Sequence, residues 1–373
     1  MQYRQFGHME EKVSALGFGA MRLPEKDGAI DEAEAIRLIR HAIDNGVNYV
    51  DTAYIYHDGF SESLVGKALR DGYRERSYVA TKSPLWLLKK PEDFDRCLDE
   101  QLDRLQTDVI DFYLLHAVDR NDWFDIVQKM HLIERAEKAK AQGKIRHIGF
   151  SFHDTYEVFR TIVDSYDGWD FCQIQLNYVD VDHQAGIRGL EHAATRGLGV
   201  VIMEPLLGGR LAAPPDSVRR LLPKERTPVE WALDFLWNRS EVSVVLSGMS
   251  TMEQVEDNLV YASRAGAGML KDCDDMFRRT KLAYETMARV PCTGCAYCMP
   301  CPFGVEIPKV FEAYNRTAHD KKAAAALYDD LQGKAALCKS CGKCTRVCPQ
   351  HIDIPQRMDE INAYFGKAGE GNV

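Results

Sequence analysis

Up to about residue 280 the apolar positions keep two alternating rhythms. Short β-branched and apolar runs recur at 15–19, 49–52, 78–81, 112–115, 147–151, 171–175, 200–204 and 242–246. Each reads as a buried strand. Between them apolar residues return at helical spacing, as at Ala33, Ile36, Ile39 and Ile43, and at Leu98, Leu102 and Leu105. Asp31, before Glu32-Ala33-Glu34, reads as a helix N-cap, and Gly46, Gly143 and Gly197 read as helix ends. Repeated strand–helix units imply a parallel sheet. Eight units in about 250 residues favour an α/β fold of the closed (β/α)8 type, a TIM barrel, over a doubly wound open sheet. No G-x-G-x-x-G follows the first run, which weakens the open-sheet reading further.

Beyond Thr280 the strand signals stop. Cysteines and prolines appear, and an Ala-rich helical stretch runs from about 308 to 331. The chain therefore divides into a barrel over 1–282 and a smaller helical domain over 283–373. Residues 366–373 are polar and glycine-rich and read as a frayed end.

Composition narrows the classes. Of 373 residues, 47 are Lys or Arg and 56 are Asp or Glu, a net charge of −9. An acidic chain is a poor general nucleic-acid binder and a poor partner for anionic membranes. No run approaches the roughly 20 apolar residues of a membrane span. The N-terminal residues hold no apolar signal region, so a cytoplasmic protein is expected. Eleven cysteines are present, of which eight fall between Cys292 and Cys348. Such clustering in a cytosolic chain reads as a metal-binding tail rather than a disulfide scaffold. Cys97 and Cys172 read as core packing, and Cys273 as an unplaced thiol.

In a parallel barrel the chemistry sits at the C-terminal ends of the strands. There the sequence places Asp51 with Tyr54 and Tyr56, then Lys82, His116, Ser151, then Gln173, Gln175 and Asn177, and Glu204. A tyrosine is a weak acid, and a lysine ammonium beside it favours the phenolate. An aspartate would hold that lysine, and a histidine would hydrogen-bond a substrate oxygen. Together they read as a proton-delivery site for a carbonyl under reduction.

The segment Asn48-Tyr49-Val50-Asp51-Thr52-Ala53-Tyr54-Ile55-Tyr56, with Glu62, Val65, Gly66, Lys67, Ala68 and Leu69, resembles the aldo-keto reductase signature. Ala80-Thr81-Lys82 and Tyr113-Leu114-Leu115-His116 are similar to the family's lysine and histidine segments. The resemblance covers about residues 1–265. It implies a barrel that binds NAD(P)H and acts on a small carbonyl or alcohol. Tyr56 is then the general acid, tuned by Asp51 and Lys82, with His116 orienting the carbonyl. It also implies cofactor contacts at Ser151 and Gln173, at Glu204, Leu206, Gly208 and Arg210, and at Gly248, Ser250, Gln254 and Asn258. This chain departs from the family pattern in three places. Phe152 follows Ser151, no aromatic residue ends the seventh strand, and residues 246–258 hold no Lys or Arg for the 2′-phosphate of NADPH. That last departure leans the reading towards NADH, and the same mouth leaves room for a flavin. Trp86 and Trp123 are candidates for substrate contact or for packing under a loop.

Two cysteine runs close the chain: Cys292, Cys295, Cys298 and Cys301 before Pro302, and Cys338, Cys341, Cys344 and Cys348 before Pro349. The second resembles the bacterial ferredoxin pattern in full, and the first lacks one residue before its last cysteine. Eight thiolates suit two [4Fe–4S] clusters; structural zinc is the alternative. In two-cluster ferredoxins the fourth cysteine of each run serves the other cluster. The expected sets are therefore Cys292, Cys295, Cys298 and Cys348, and Cys338, Cys341, Cys344 and Cys301. Three functional readings follow. The first is a carbonyl reductase whose clusters are structural or sensing. The second is an electron-transfer oxidoreductase that passes electrons between the clusters and a substrate, a flavin or a nicotinamide at the barrel mouth, with an electron-transfer partner protein. The third is an idle barrel serving as a redox-sensing or binding module.

Overall fold

The computed structural model describes residues 1–287, 289–318 and 320–368. Eight parallel strands close into a barrel: β1 (Leu16–Gly19), β2 (Tyr49–Asp51), β3 (Tyr78–Ser83), β4 (Ile110–Val118), β5 (Ile145–Phe152), β6 (Phe171–Gln175), β7 (Gly199–Met203) and β8 (Val244–Ser247). These are the eight strands expected from the sequence, and the fold is the (β/α)8 barrel. Closure is made by β8 against β1, with Val245 opposite Leu16 and Ser247 opposite Phe18.

Chain packing divides the molecule into two compact units, Met1–Pro205 with Glu230–Lys271, and Leu206–Val229 with Asp272–Val373. These bounds differ from a simple division at 282/283, because 206–229 and 272–282 pack with the cysteine-bearing segment.

In the first unit a short antiparallel hairpin (Tyr3–Gln5 with Lys12–Ser14) precedes β1. Phe6, just after its first strand, is fully buried among Tyr49, Phe112 and Phe171, with ring centroids 5.9, 4.8 and 5.6 Å away. It fills the end of the barrel where strands begin and leaves the opposite end for chemistry. The helix α1 (Glu32–Asp44) starts where Asp31 accepts a hydrogen bond from the Glu34 N–H at 3.1 Å. Its buried stripe is Ala35, Leu38, Ile39, Ala42 and Ile43. Ala33, expected on that face, is exposed, because the packed face is set one position further round than the isoleucine spacing suggested. The helices α2 (Ser61–Ala68), α3 (Glu92–Leu105), α4 (Leu132–Ala141), α5 (Tyr156–Asp164) and α6 (Gly186–Thr195) continue the alternation.

In the second unit lie α7 (Asp216–Arg219), α10 (Asp274–Met287), α11 (Ile307–Arg316), α12 (Lys321–Asp329), α13 (Lys343–Arg346) and α14 (Ile354–Ala368). The helices α8 (Pro228–Trp237) and α9 (Met252–Ala262) intervene in the chain. The expected helical stretch 308–331 is thus two helices, the second capped by Asp320, which accepts from the Ala323 N–H. A separate core of Val305, Val310, Phe311, Tyr328, Met358 and Ile361 holds this unit together. The Tyr328 and Phe365 rings stack at 4.0 Å. Because α14 reaches Ala368, Gly366 is helical where fraying was expected; residues 369–373 lie outside the described residues. Among the described residues no helix is long and apolar enough to cross a membrane.

Candidate functional site

The strand ends bring four of the expected side chains together. Lys82, near the end of β3, is fully buried, and its Nζ donates to Asp51 Oδ1 and to the Thr52 carbonyl, both at 2.7 Å. The Tyr56 hydroxyl lies 3.4 Å from the same nitrogen. The Tyr56 and His116 rings stand edge to face at 6.1 Å. Tyr56 is held by a tight turn in which His57 and Asp58 both have positive φ, at 50° and 55°. His57 Nε2 accepts from the Leu23 N–H at 3.2 Å and pins that turn to the loop after β1.

Electrostatics at the site follow from burial. Burial raises the Asp51 carboxyl and lowers the Lys82 amine, while their attraction opposes both shifts. Burial, with the Lys82 charge and His153 nearby, holds His116 well below the usual histidine range. His116 is therefore a neutral imidazole, suited to hydrogen bonding rather than to charge.

A polar layer outside the barrel supports Lys82. Fully buried Glu62 accepts from the Thr81 hydroxyl and from Gln101 Nε2, both at 2.6 Å, and pairs with Arg104 at 3.1 Å. Gln101 also donates to the Lys82 carbonyl at 3.1 Å and accepts from the Tyr113 hydroxyl at 2.7 Å. Glu62 appears in the sequence only as part of the signature, and Gln101 carries no sequence signal at all.

Of the polar residues ending β6, two are spent internally. Gln175 and Asn177 both donate to Asp180 Oδ2, and Asn177 Nδ2 also donates to the Glu204 carbonyl at 3.1 Å. Gln173 differs: among the described residues its amide nitrogen meets only the Met203 sulfur, at 3.5 Å, and its buried Oε1 has no partner. Ser151 Oγ accepts from the Ala117 N–H at 2.7 Å, which leaves its hydroxyl proton to donate elsewhere. An acceptor and a donor of this kind fit the carboxamide of a nicotinamide.

After β8, Gln254 Oε1 accepts from the Ser250 N–H at 2.8 Å, and Asn258 Nδ2 donates to Ser247 Oγ at 3.0 Å. Residues 246–258 lack a cation, yet the structure brings one there. The side chain of Arg22 packs over Gly248, and its carbonyl accepts from the Ser250 hydroxyl at 2.8 Å. Arg22 follows β1, which neighbours β8 only because the barrel closes. Leu206, Gly208 and Arg210 belong to the second unit. There Gly208 has φ +65°, and a Cβ on it would run into the Thr293 carbonyl. The Tyr284 hydroxyl donates to the Arg210 carbonyl at 3.0 Å. Trp86 is 41% exposed, with its ring 5.1 Å from that of His116, whereas Trp123 is buried and faces Trp169.

The eight tail cysteines line two cavities, four to each. Cys292, Cys295, Cys298 and Cys348 line one, and Cys301, Cys338, Cys341 and Cys344 line the other. Ile354 borders both. Among the described residues no three His, Cys, Asp or Glu side chains converge on a single metal ion. Four soft thiols spread around a cavity fit a polynuclear cluster better. Burial and the neighbouring thiols push the Cys298 thiol up to about 12, so its thiolate calls for positive charge, which a metal centre supplies. Backbone N–H groups of Gly294 and Ser340 donate to Cys292 and Cys338 sulfurs, each at 3.4 Å. Cys97 and Cys172 are buried in the first unit.

A closed parallel barrel with a buried Asp–Lys–Tyr–His set at its open end, joined to a four-by-four cysteine unit, defines a class of oxidoreductase. Residues 15–220 match the aldo/keto reductase family, more than half of the chain, and the chain belongs to that family. Residues 291–352 match the 4Fe-4S dicluster domain. L-galactose dehydrogenase of Arabidopsis thaliana is 29% identical over 283 residues, covering 69% of this chain and 87% of that protein. The 6-dehydroglucose reductase of Novosphingobium aromaticivorans is 30% identical over 226 residues, 57% of this chain and 71% of its own. An aldo-keto reductase from Bacillus halodurans, in its holo form, has a TM-score of 0.64 at 27% identity, covering 75% of this chain and 96% of that one. One from Klebsiella pneumoniae, in complex with NADPH, has a TM-score of 0.62 at 25% identity and the same coverage.

Proposed function

We propose that this protein is an NAD(P)H-dependent reductase interconverting a small carbonyl and an alcohol, with two [4Fe–4S] clusters in its C-terminal domain, 283–373. The observation that carries the reading is the buried Lys82 Nζ, which touches both the Asp51 carboxylate and the Tyr56 hydroxyl.

A bound nicotinamide supplies the hydride. The rest falls to this chain. Tyr56 donates its proton to the carbonyl oxygen, and the Lys82 ammonium stabilises the phenolate left behind. Asp51 holds Lys82 in place and keeps its charge. Neutral His116 hydrogen-bonds the carbonyl oxygen and fixes its approach. Ser151 and Gln173 hold the carboxamide. Glu204, Gly248, Ser250, Gln254 and Asn258 are the further contacts, with Leu206, Gly208 and Arg210 on the loop that follows β7. Arg22 provides the cation for a 2′-phosphate, which moves the preference from NADH towards NADPH. Exposed Trp86 offers an apolar ring face to the substrate. The names of the two relatives make sugar-derived carbonyls the first panel to assay.

In the tail, Cys292, Cys295, Cys298 and Cys348 would hold one cluster and Cys338, Cys341, Cys344 and Cys301 the other. Such clusters carry single electrons. The shared border at Ile354 favours a second reading, an electron-transfer oxidoreductase in which the two cysteine sets would hold clusters able to exchange single electrons with a substrate, a flavin or a nicotinamide.

The test is made on protein purified without oxygen. Incubation with 4-deuterated NADPH and the carbonyl panel is expected to place deuterium on the carbinol carbon of the product. Consumption of NADPH only with one-electron acceptors, and with no carbonyl, would overturn the reductase reading.

A further inference from the structure

The two cysteine cavities differ in what surrounds them. Uncharged residues such as Pro308, Phe311 and Gln350 line the first, and no charged side chain joins them. Lys339 lines the second, together with Phe303. Cys341 of the second set is exposed, whereas the other seven tail cysteines are all partly covered. The second set therefore reaches the surface, where a docked molecule would touch it.

That surface is basic in an acidic chain. From Leu331 to Ile352 stand Lys334, Lys339, Lys343 and Arg346 and no Asp or Glu, whereas the whole chain carries −9. Lys339, Lys343 and Arg346 are exposed. Among the described residues these three have no acidic partner, while Lys334 lies 3.8 Å from Asp329. Two acids bordering the run are engaged. Glu306 Oε1 takes Lys309, and its Oε2 accepts from the Gln332 and Gly333 N–H groups. Asp353 accepts from the Gln356 N–H at 3.2 Å. Asp359, next in the chain to the cavity-lining Met358, subtracts one charge and leaves the balance positive. Apolar surface accompanies the cations: Leu337, Val347 and Phe303 are 42%, 45% and 43% exposed. Apolar residues beside unpaired charges of one sign suit a transient interface with a partner of the opposite charge.

We infer that this face docks an acidic protein that carries single electrons, with Lys343 and Arg346 meeting its carboxylates. The electron half rests on reading Cys301, Cys338, Cys341 and Cys344 as cluster ligands. In the exchange one protein loses a single electron and the other gains it, so no proton or further reactant is needed. Such encounters bury little area, and their attraction is screened by salt.

The experiment uses the anaerobic full-length protein and a plant-type [2Fe–2S] ferredoxin, a small acidic carrier, as the probe. Iron is counted first; a protein free of iron would overturn the cluster reading and with it the electron half, independently of whether the ferredoxin binds. Affinity is measured by calorimetry with both proteins oxidised, so that no electron moves. Lys343→Glu combined with Arg346→Glu is expected to weaken binding about tenfold or more, and about 0.5 M salt to weaken the parent to a similar extent. Lys343→Gln combined with Arg346→Gln, holding the parental iron, should fall between. Parental affinity in both variants would overturn the face. Equal binding of a basic cytochrome c, or tighter binding of a single-stranded oligonucleotide through the same two residues, would overturn the choice of partner. So would self-association of the parent that these variants abolish, which would give the face to a second copy. Reduced ferredoxin is then mixed with the oxidised protein, and oxidised ferredoxin with the reduced protein. One electron per ferredoxin is expected to move in one of the two mixtures. No transfer in either, from a bound carrier, would overturn the electron half.

Discussion

The Lys82 ammonium lies 2.7 Å from the Asp51 carboxylate, and their side chains are only 1% and 4% exposed. A pair so buried stands or falls together. Asp51→Asn leaves the lysine charge without its partner, and removing one half of a buried pair costs about 3 kcal/mol. The variant is expected to melt several degrees lower. Because Asp51 raises the Lys82 pKa, the alkaline limb of kcat/KM should also move to lower pH. Thermal unfolding and a pH–rate profile check both effects.

Arg22 lies over Gly248 and takes the Ser250 hydroxyl on its carbonyl. Arg22→Ala should weaken NADPH binding about tenfold, the worth of one charge-assisted contact, while NADH changes little. Fluorescence titration with both nucleotides checks the difference. Equal loss for the two would remove Arg22 from 2′-phosphate recognition.

His147 lies between two carboxylates, 2.9 Å from Glu11 and 3.6 Å from Asp170, which Lys140 also approaches at 2.9 Å. Burial pulls its pKa down, but the hydrogen bond with Glu11 and the attraction of Asp170 and Glu11 outweigh it and hold the net value above the ordinary 6.5. The folded state therefore holds the proton more tightly than the unfolded chain. The stabilisation is complete below pH 6.5 and is lost as pH rises through the folded pKa. His147→Gln should lower the melting temperature by about 2 °C in acid, with the gap to the parent closing at alkaline pH. Melting curves from pH 5.5 to 9 check the sign.

The cysteine pairing is testable by substitution. Cys348→Ser and Cys341→Ser remove residues from different cavities. Each should lower iron from about eight to about four per chain, and the surviving cluster should differ between the two variants by electron paramagnetic resonance. The same surviving signal in both would contradict the crossed pairing.

Much of this arrangement could be read from residue order. Parallel barrel strands are buried on both faces, so each appeared as a short apolar run, and all eight were legible. Asp51, Tyr56, Lys82 and His116 were legible because strand ends in a barrel share one mouth. Arg22 was not, since its proximity to Gly248 depends on β8 meeting β1 across more than 220 residues. Nor could sequence separate Gln173 from Gln175 and Asn177, because only packing shows that Asp180 occupies the latter two. The membership of 206–229 in the second unit was equally hidden, as it depends on tertiary packing rather than on composition.

The most direct test of the proton-delivery site is Tyr56→Phe, which removes one oxygen and keeps the ring. With NADPH and a carbonyl substrate, kcat is expected to fall at least about a hundredfold, the usual contribution of a positioned general acid, while NADPH affinity stays within twofold or so of the parent. A Tyr56→Phe enzyme that reduces the carbonyl at the parental rate would contradict the account.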